Sequence, residues 1–387
     1  MIPAWKIRRE MLRFWRQITG LPGQIAAVPS KLMQRRQRAT YDRDFDRMVQ
    51  ITTGDLAMGS KVAIFLLYQP KSVPRSVFLT LDYLISHGYA PLIVMNGGVA
   101  AQDVPALQRH AWLLVHRPNF GYDFGGYRDG LRVLRARGGD LERLIVMNDS
   151  VWLPISGDPI RQLEQHLNTN DLDAAGLNQD EKVRYQPDGS VRFELRQIES
   201  YFYLFSAGFW KSDVFKQFWD QYRMSSDKKY TIKHGEIGFS KYMMDRGRRF
   251  SGLMRRSVFL DRIESCAPDF LHKTLTYAAY ADAKYARERD ELLASYDGSD
   301  AWRDAALSHV RANALRRPFN TSFCFAADQL FGTTYLKKNS QTYFHDMRAQ
   351  YLRAVEDGGV TPPAPDILLE IKALVANHDP KTAERTL

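Results

Sequence analysis

The sequence is poor in cysteine, which excludes several kinds of site. Its two cysteines, Cys266 and Cys324, are too few for a disulfide framework, and their spacing is not that of metal ligands. A chain of this kind is typical of a reducing compartment. We therefore expect a cytosolic protein without a cysteine-based metal centre.

Long hydrophobic runs are also missing. The longest strand-like apolar run, residues 62–68, is far shorter than the ~20 residues needed to cross a bilayer. The N-terminus lacks the continuous apolar segment and small-residue cleavage site of a signal peptide. We therefore expect neither a membrane-spanning helix nor an export signal.

Three motifs of common enzyme classes are absent as well. No G-x-G-x-x-G follows the first predicted strand, and the chain has no G-x-x-x-x-G-K-(S/T) loop and no G-x-S-x-G turn. These absences argue against a dinucleotide-binding Rossmann enzyme, a P-loop nucleoside triphosphatase and an α/β-hydrolase, in that order.

Basic residues are concentrated near the N-terminus. Residues 1–38 contain nine Lys or Arg and one acid, Glu10, so they carry +8 of the formal net charge of +10. The rest of the chain is nearly neutral. This distribution argues against a nucleic-acid-binding face on the main domain and assigns the basicity to an appendage.

The first 18 residues have the pattern of an amphipathic helix. Its apolar face carries Ile7, Met11, Phe14, Trp15 and Ile18, and its basic face carries Lys6, Arg9, Arg13 and Arg16. Such a helix suits the headgroup region of an anionic membrane. Residues 20–23 end the helix, and a second basic group follows within residues 31–38. The alternative is an arm that packs on its own domain or on a partner subunit.

Strand and helix patterns alternate after a linker near residues 53–60. This alternation predicts an α/β fold with a Rossmann-like, mostly parallel sheet, helices on both faces and helical C-terminal additions. The predicted strands are Val62–Tyr68, Pro91–Met95, Trp112–His116 and Leu144–Met147, with shorter ones at Asp173–Gly176 and Glu199–Phe205. The predicted helices are Val73–His87, Gly126–Arg137, Ser212–Tyr222, Glu236–Arg246, Tyr277–Ala294 and Ile367–Ala376.

The turn after the third predicted strand combines glycines with an acid and a base. Glycines let a backbone approach a ligand closely, and an arginine can meet a diphosphate. Asn119, Asp123 and Arg128 are therefore candidate residues for binding a donor molecule that contains a diphosphate. The alternative is a tight strand-to-helix connection in which Asp123 caps the helix.

Asn148, Asp149 and Ser150 follow the fourth predicted strand directly. In open α/β sheets ligands bind outside the carboxyl ends of the strands, so a carboxylate there points into the ligand crevice. Asp149 can hold Mg²⁺ or Mn²⁺ beside diphosphate oxygens, because these cations need only one or two protein carboxylates. Asn148 and Ser150 would contact the donor. The alternative is a turn or a helix cap.

Two further segments contain candidate residues for the acceptor side. Ser200 and Tyr201 open an aromatic strand and are candidate ligand contacts, although the aromatic residues can instead belong to the core. Glu236 stands at the predicted start of a helix, where the positive dipole end favours an ionised carboxylate. Such a carboxylate can take a proton from an attacking hydroxyl. The alternative is a first-turn glutamate that only stabilises its helix.

In this order along the chain, the four segments resemble the rhamnan synthesis protein F family, bacterial glycosyltransferases of surface-polysaccharide assembly. The resemblance covers roughly residues 60–250 and continues at residues 320–322 and 330–337. It implies a glycosyltransferase fold of the A type, with a nucleotide-binding half at 59–170 and an acceptor half at 171–330.

The resemblance also implies roles for individual residues. Asn148-Asp149-Ser150 lies where such folds usually carry an Asp-x-Asp metal motif, and only one of the three residues is acidic here. Dependence on a divalent cation therefore stays open. Glu236 is similar to the general base of many inverting enzymes of this fold. His234 is expected to orient the acceptor or to be structural.

We therefore expect a peripheral enzyme on the cytoplasmic face of the inner membrane. It would move rhamnose or another hexose from a nucleotide-sugar to a lipid-linked glycan, as in the synthesis of lipopolysaccharide O-antigen or rhamnan. Residues 1–58 would form a membrane-surface arm and linker, 59–330 the glycosyltransferase domain and 331–387 a helical extension. The alternative is a non-catalytic glycan-binding or scaffold protein of a polysaccharide assembly complex.

Overall fold

The computed structural model of the protein describes residues 28–186, 188 and 190–377. The predicted amphipathic helix within residues 6–18 lies outside this range. Among the described residues, no helix is both long enough and apolar enough to cross a membrane.

The strands alternate with helices in the first half of the described chain. In chain order they are β1 (Gln50–Thr53), β2 (Lys61–Leu67), β3 (Tyr89–Asn96), β4 (Leu113–Arg117), β5 (Arg143–Asn148), β6 (Val151–Ser156), β7 (Ala174–Tyr185), β8 (Val191–Ile198), β9 (Phe202–Ser206), β10 (Phe250–Arg255) and β11 (Thr334–Lys337).

Helices dominate the second half. The helices up to residue 245 are α1 (Val28–Arg43), α2 (Phe45–Met48), α3 (Arg75–Ser86), α4 (Val104–Arg109), α5 (Tyr122–Arg137), α6 (Pro159–Thr169), α7 (Ala207–Trp210), α8 (Asp213–Gln221), α9 (Lys228–Thr231) and α10 (Ile237–Asp245). The later ones are α11 (Arg256–Glu264), α12 (Pro268–Thr276), α13 (Ala283–Ala294), α14 (Asp300–Ala314), α15 (Phe319–Ser322), α16 (Cys324–Phe331), α17 (Thr342–Glu356) and α18 (Pro365–Ala376). A short 3₁₀ turn spans Ala101–Asp103, and a π-helical turn, Ile232–Glu236, joins α9 to α10.

Nine strands of the described residues form one sheet, in the order β1-β4-β3-β2-β5-β9-β7-β10, with β8 paired to β7. β2 pairs in parallel with β3 and β5, and β3 with β4. β7 and β10 are also parallel, whereas β9 runs antiparallel between β5 and β7. The carboxyl ends of β3, β4 and β5 therefore meet at one edge, where a ligand crevice is expected.

Successive side chains of a strand point to opposite faces of the sheet, and the central strands are buried on both faces. Phe65 and Ile145 contribute to the hydrophobic cluster that the C-terminal helices cover. Ile64 and Val146 contribute to a second cluster on the other face. Continuous apolar runs such as that of β2 are thus explained by burial on both sides.

The segment before the first parallel strand packs on the second cluster. Tyr41 and Phe45 are buried there, and the Tyr41 hydroxyl donates a 2.5 Å hydrogen bond to Asp129. β1 then extends the sheet beside β4. Residues 41–53, which the sequence analysis assigned to an arm and linker, are therefore packed on the folded domain.

The predicted α/β fold class, with a mostly parallel sheet and helical C-terminal additions, is confirmed. The predicted helix Tyr277–Ala294 is confirmed over α13 (Ala283–Ala294) but is wrong for residues 277–282, which separate α13 from the end of α12 at Thr276. Between them the Ala279 amide donates to the Ser322 carbonyl at 2.8 Å. In a continuous helix the Ala279 amide would instead donate to the carbonyl four residues earlier in the chain.

Candidate active site

The turn after β4 is held in place by one buried arginine. Arg117 donates a 2.6 Å hydrogen bond to Asp129 of α5 and further hydrogen bonds to Asn96 and to the Phe120 carbonyl. Asn96, at the end of β3, donates to Asn119 at 2.9 Å. A buried charge is stable when it is paired and hydrogen-bonded in this way. The network fixes predicted residue Asn119 at the carboxyl edge of the sheet.

Helix α5 lies directly on β2 because glycines face the strand. An added Cβ at Gly126 would come within 2.3 Å of Leu66, and one at Gly130 within 2.8 Å of Ile64. The close approach brings the first turn of α5, with Asp123, to the end of β5.

Asn148 connects Asp123 to the tip of β5. The Asn148 side-chain amide donates to Asp123 Oδ2 at 3.0 Å. Its carbonyl oxygen accepts hydrogen bonds from the Ser150 amide at 3.1 Å and from the Ser150 hydroxyl at 2.6 Å. Asn148 is thus the turn former at this strand end. The turn does not use the carboxylate of the next residue, Asp149, which can therefore serve as a ligand contact.

Asp149 lies close to Asp123 in a partly buried position. Its carboxylate accepts a 2.7 Å hydrogen bond from Gln69, and its backbone amide donates to the Leu66 carbonyl. Burial raises the pKa of Asp149, and the charge of Lys338 opposes that shift. Burial, together with the charge of Asp149, raises the pKa of Asp123 to about 6. Two carboxylates whose charges interact in this way are harder to ionise together, and a proton or a bound cation relieves that repulsion.

The surroundings of Asp149 contain few metal-ligating side chains. Among the described residues, no group of three or more His, Cys, Asp or Glu side chains is arranged to hold a metal ion. Mg²⁺, however, usually binds through one or two carboxylates, with substrate phosphates completing its coordination. Asp123 and Asp149 fit a cation of that kind, which would arrive with the diphosphate.

Glu236 occupies a different helical position from the one predicted. The helical segment begins at Lys228, capped by Asp227, and passes through the π-helical turn without a break. Glu236 therefore lies inside the helix, and the predicted effect of a helix start on its ionisation is wrong. π-Helical turns of this kind are frequent at functional sites.

The Glu236 carboxylate faces the end of β8. It accepts a hydrogen bond from the side-chain amide of Gln197 and one of 2.5 Å from the Ser200 hydroxyl. Burial raises its pKa to about 7, and the charges of Glu199 and Asp123 act in the same direction. The Ser200 hydrogen bond and Lys337 lower it. A carboxyl with a pKa near neutrality is suited to accept and release protons at physiological pH.

Gly235 allows the helix of Glu236 to approach the helix of Asp123. An added Cβ at Gly235 would lie 2.6 Å from the ring of Phe124. Phe124 is buried and is the direct neighbour of Asp123. Gly235 therefore determines how closely the helix that carries Glu236 can approach the helix that carries Asp123.

Two lysines of the C-terminal segment complete the site, and the sequence analysis did not identify them. β11 pairs with β6 and places Lys337 opposite Val151. Lys337 donates a 2.6 Å hydrogen bond to Glu199. The Lys338 ammonium group lies 3.2 Å from the Ser76 hydroxyl, and burial lowers its pKa while Asp149 raises it. The only sequence signal was the faint resemblance at residues 330–337, which includes Lys337 but not Lys338.

The remaining predicted residues have different surroundings. Tyr201 is buried in the core and donates to the Tyr335 hydroxyl, which matches the core alternative. His234 is exposed, and its ring centroid lies 4.2 Å from that of Tyr230. Arg128 pairs with Asp42 at 2.7 Å and lines a separate cavity. Its contact with a donor diphosphate stays a prediction.

Residues 92–279 match the family model described as rhamnan synthesis protein F. The family predicted from the sequence is thus confirmed over that segment. The uncharacterised protein y4gN of Sinorhizobium fredii is 34% identical over 241 residues, which are 62% of this chain and 59% of that protein. The similarity therefore spans less than two thirds of that relative's length.

Among solved structures, a mannosyltransferase of Pyrobaculum calidifontis in complex with GDP-Man and Mn²⁺ aligns with this chain. The alignment covers 94% of this chain and 93% of the other, with 10% identity and a TM-score of 0.30. A TM-score this low carries no argument about fold or function.

Proposed function

We propose that this protein is a glycosyltransferase of surface-polysaccharide synthesis that uses a nucleotide-sugar donor. The observation that carries the proposal is the set of interacting carboxylates: Glu236, with a pKa of about 7, and the pair Asp123 and Asp149. The family match supports it, because residues 92–279 include all three. The A-type fold implied by the resemblance is part of the same proposal.

Glu236 would be the general base. As it takes the proton of the acceptor hydroxyl, the acceptor oxygen bonds to the anomeric carbon of the donor sugar. The bond from that carbon to the diphosphate breaks, and the nucleoside diphosphate leaves with the electron pair. A base of this kind is needed only if the reaction inverts the anomeric configuration, so the stereochemistry of the product tests this role directly.

The diphosphate would lie beside Asp149 and Lys338. The charges of Lys338 and Asp149 interact, and the ammonium group of Lys338 would compensate the charge of a leaving diphosphate. A divalent cation held by Asp123 and Asp149 would supply further charge stabilisation there. Asn148 would keep Asp123 in position through its 3.0 Å hydrogen bond.

The acceptor would be a lipid-linked glycan at the cytoplasmic face of the inner membrane, and the transferred sugar rhamnose or another hexose. The basic residues within 1–38 support attachment to an anionic membrane surface. Ser200 would contribute to the acceptor side, since its hydroxyl already contacts Glu236.

A titration with a panel of nucleoside diphosphates and nucleotide-sugars tests the proposal. A glycosyltransferase binds at least one of them and hydrolyses or transfers its sugar, and Asp149→Ala abolishes the turnover. A scaffold or glycan-binding protein need not bind any nucleotide. Absence of binding across the panel, with and without Mg²⁺ or Mn²⁺, would refute the proposal that the protein is a glycosyltransferase.

A further inference from the structure

A cavity of about 530 Å³ lies between α1, α5 and the turn after α8. Four arginines line it: Arg35 and Arg38 of α1, Arg128 of α5, and Arg223 of the turn. The arginines come from three separate segments of the chain. Tertiary packing therefore gathers them, which distinguishes this cavity from an ordinary solvated helix face.

The acidic residues of the cavity do not neutralise it. Asp42 pairs with Arg128 at 2.7 Å, and Asp220 pairs with Arg135 at 3.3 Å. Within the described part of the chain, no ion pair is formed by Arg35, Arg38 or Arg223. Guanidinium groups gathered in a cleft attract anions, and their planar forks match the oxygens of a phosphate.

A second cavity, of about 350 Å³, adjoins the first. The two share Gln221, Tyr222 and Arg223, and the second extends to Tyr230 and His234. Its lining is largely aromatic, and His234 is two residues before Glu236. The two cavities are therefore direct neighbours.

The two cavities are separated from Asp123 by packed aromatic rings. Tyr222 is buried and lies against Phe124, with ring centroids 5.5 Å apart. Phe124 also stacks on Trp219 at 5.5 Å. A ligand in the arginine cavity would therefore lie on the opposite side of these rings from the Asp123 side of the crevice.

We propose that the arginine cavity binds a phosphate or diphosphate group of the acceptor, and that the adjoining aromatic cavity holds the sugar next to it. This inference rests on the proposed function, since it assigns a binding site to the acceptor of that enzyme. Aromatic ring faces suit the apolar faces of sugars, and arginines suit the anionic linkage. The acceptor would then have to be long enough for its reacting hydroxyl to reach Glu236 while its phosphate is held by the arginines.

The test measures, by calorimetry, how tightly the full chain binds inorganic pyrophosphate. Arg38→Gln and Arg223→Gln are compared with Arg36→Gln, which removes the same charge from an exposed position on the same helix. Arg128 is left unchanged because it pairs with Asp42 of α1. We expect about tenfold weaker pyrophosphate binding in the two cavity variants and no more than about twofold weakening in Arg36→Gln.

Competition separates the possible sources of the phosphate. Pyrophosphate should still bind when a nucleoside diphosphate saturates the donor crevice, and Arg38→Gln and Arg223→Gln should leave nucleoside diphosphate affinity unchanged. In a transfer assay with a diphosphate-linked acceptor, the two cavity variants should have a higher KM for the acceptor and an unchanged KM for the donor. Binding to phosphatidylglycerol vesicles should fall equally in Arg38→Gln and Arg36→Gln.

Three results would overturn the inference. They are equal pyrophosphate affinity in all variants, complete competition by nucleoside diphosphate, and a loss of vesicle binding confined to the cavity variants. The second would assign the arginines to the donor, and the third to a lipid headgroup. If no nucleotide binds but pyrophosphate binding depends on Arg38 and Arg223, the proposed enzyme fails and the anion site remains. Thermal melting of each variant confirms that the fold is retained.

Discussion

Lys337 and Glu199 are 138 residues apart in the sequence, yet the Lys337 ammonium group donates a 2.6 Å hydrogen bond to the Glu199 carboxylate. Both act on the proposed base, because Glu199 raises the pKa of Glu236 and Lys337 lowers it. Lys337 lies beyond residues 92–279, which match the family model. The C-terminal segment therefore contributes to the electrostatics of the site.

Glu236→Gln should lower the turnover number by about 10²–10⁴-fold, the usual contribution of a general base. Glutamine retains the size of the side chain but cannot accept the proton, so donor affinity should be preserved. Steady-state transfer kinetics and donor titration measure the two quantities. Glu142→Gln, at an exposed position, is the matched control. A loss below about threefold would assign proton transfer to another group.

The turnover number should rise with pH through about 7, because Glu236 must be ionised to act as a base. Lys337→Met removes a positive charge and should move the midpoint to higher pH. Glu199→Gln removes a negative charge and should move it to lower pH. Rate profiles between pH 5 and about 9 measure the midpoints. Shifts in the same direction for both variants would contradict this electrostatic account.

The same shift predicts a pH dependence of stability. The pKa of Glu236 is raised from 4.5 in the unfolded chain to about 7 in the folded protein. Between these values the unfolded state loses the proton while the folded state retains it, so the free energy of unfolding should fall as pH rises. Urea denaturation at several pH values measures this slope, which Glu236→Gln should reduce. An identical slope in the variant would show that other groups determine it.

Gly235→Ala should destabilise the fold, because its Cβ would come within 2.6 Å of the Phe124 ring. Overpacking of this kind typically costs about 1–3 kcal/mol. Gly208→Ala is the control, since an added Cβ there meets no atom within 4 Å. Thermal unfolding of the two variants measures the difference. Equal melting temperatures would mean that Phe124 can move aside without cost.

Deleting residues 1–27 should weaken binding to anionic vesicles and leave donor affinity unchanged. The deleted segment carries the predicted apolar face with Phe14 and Trp15, together with five basic residues and one acid. Each basic residue near an anionic surface contributes roughly 1 kcal/mol, reduced by salt. Vesicle sedimentation at low and high ionic strength compares the two proteins. Equal partitioning would favour an arm that packs on the protein or on a partner.

Much of the parallel half of the fold could be predicted from local sequence. The apolar runs of β2, β3 and β5 have lengths that fit strands buried on both faces, and polar residues follow them where the strands end. Because parallel strands end at the same edge, the position of Asp149 at that edge followed from the pattern alone. Asp123 and Asp149 were found in this way, whereas Ser200 was found from its aromatic strand and Glu236 from a predicted helix start.

Tertiary structure alone determined how these residues interact. Nothing local in the sequence indicates that Gln197 and Ser200 hydrogen-bond Glu236, or that the charge of Lys338 acts on Asp149. These contacts depend on the pairing of β11 with β6 and on the insertion of β9 into the sheet. The pKa of Glu236 depends on them too, because burial and neighbouring charges act through space, whereas sequence patterns report mainly which residues are buried and which elements form.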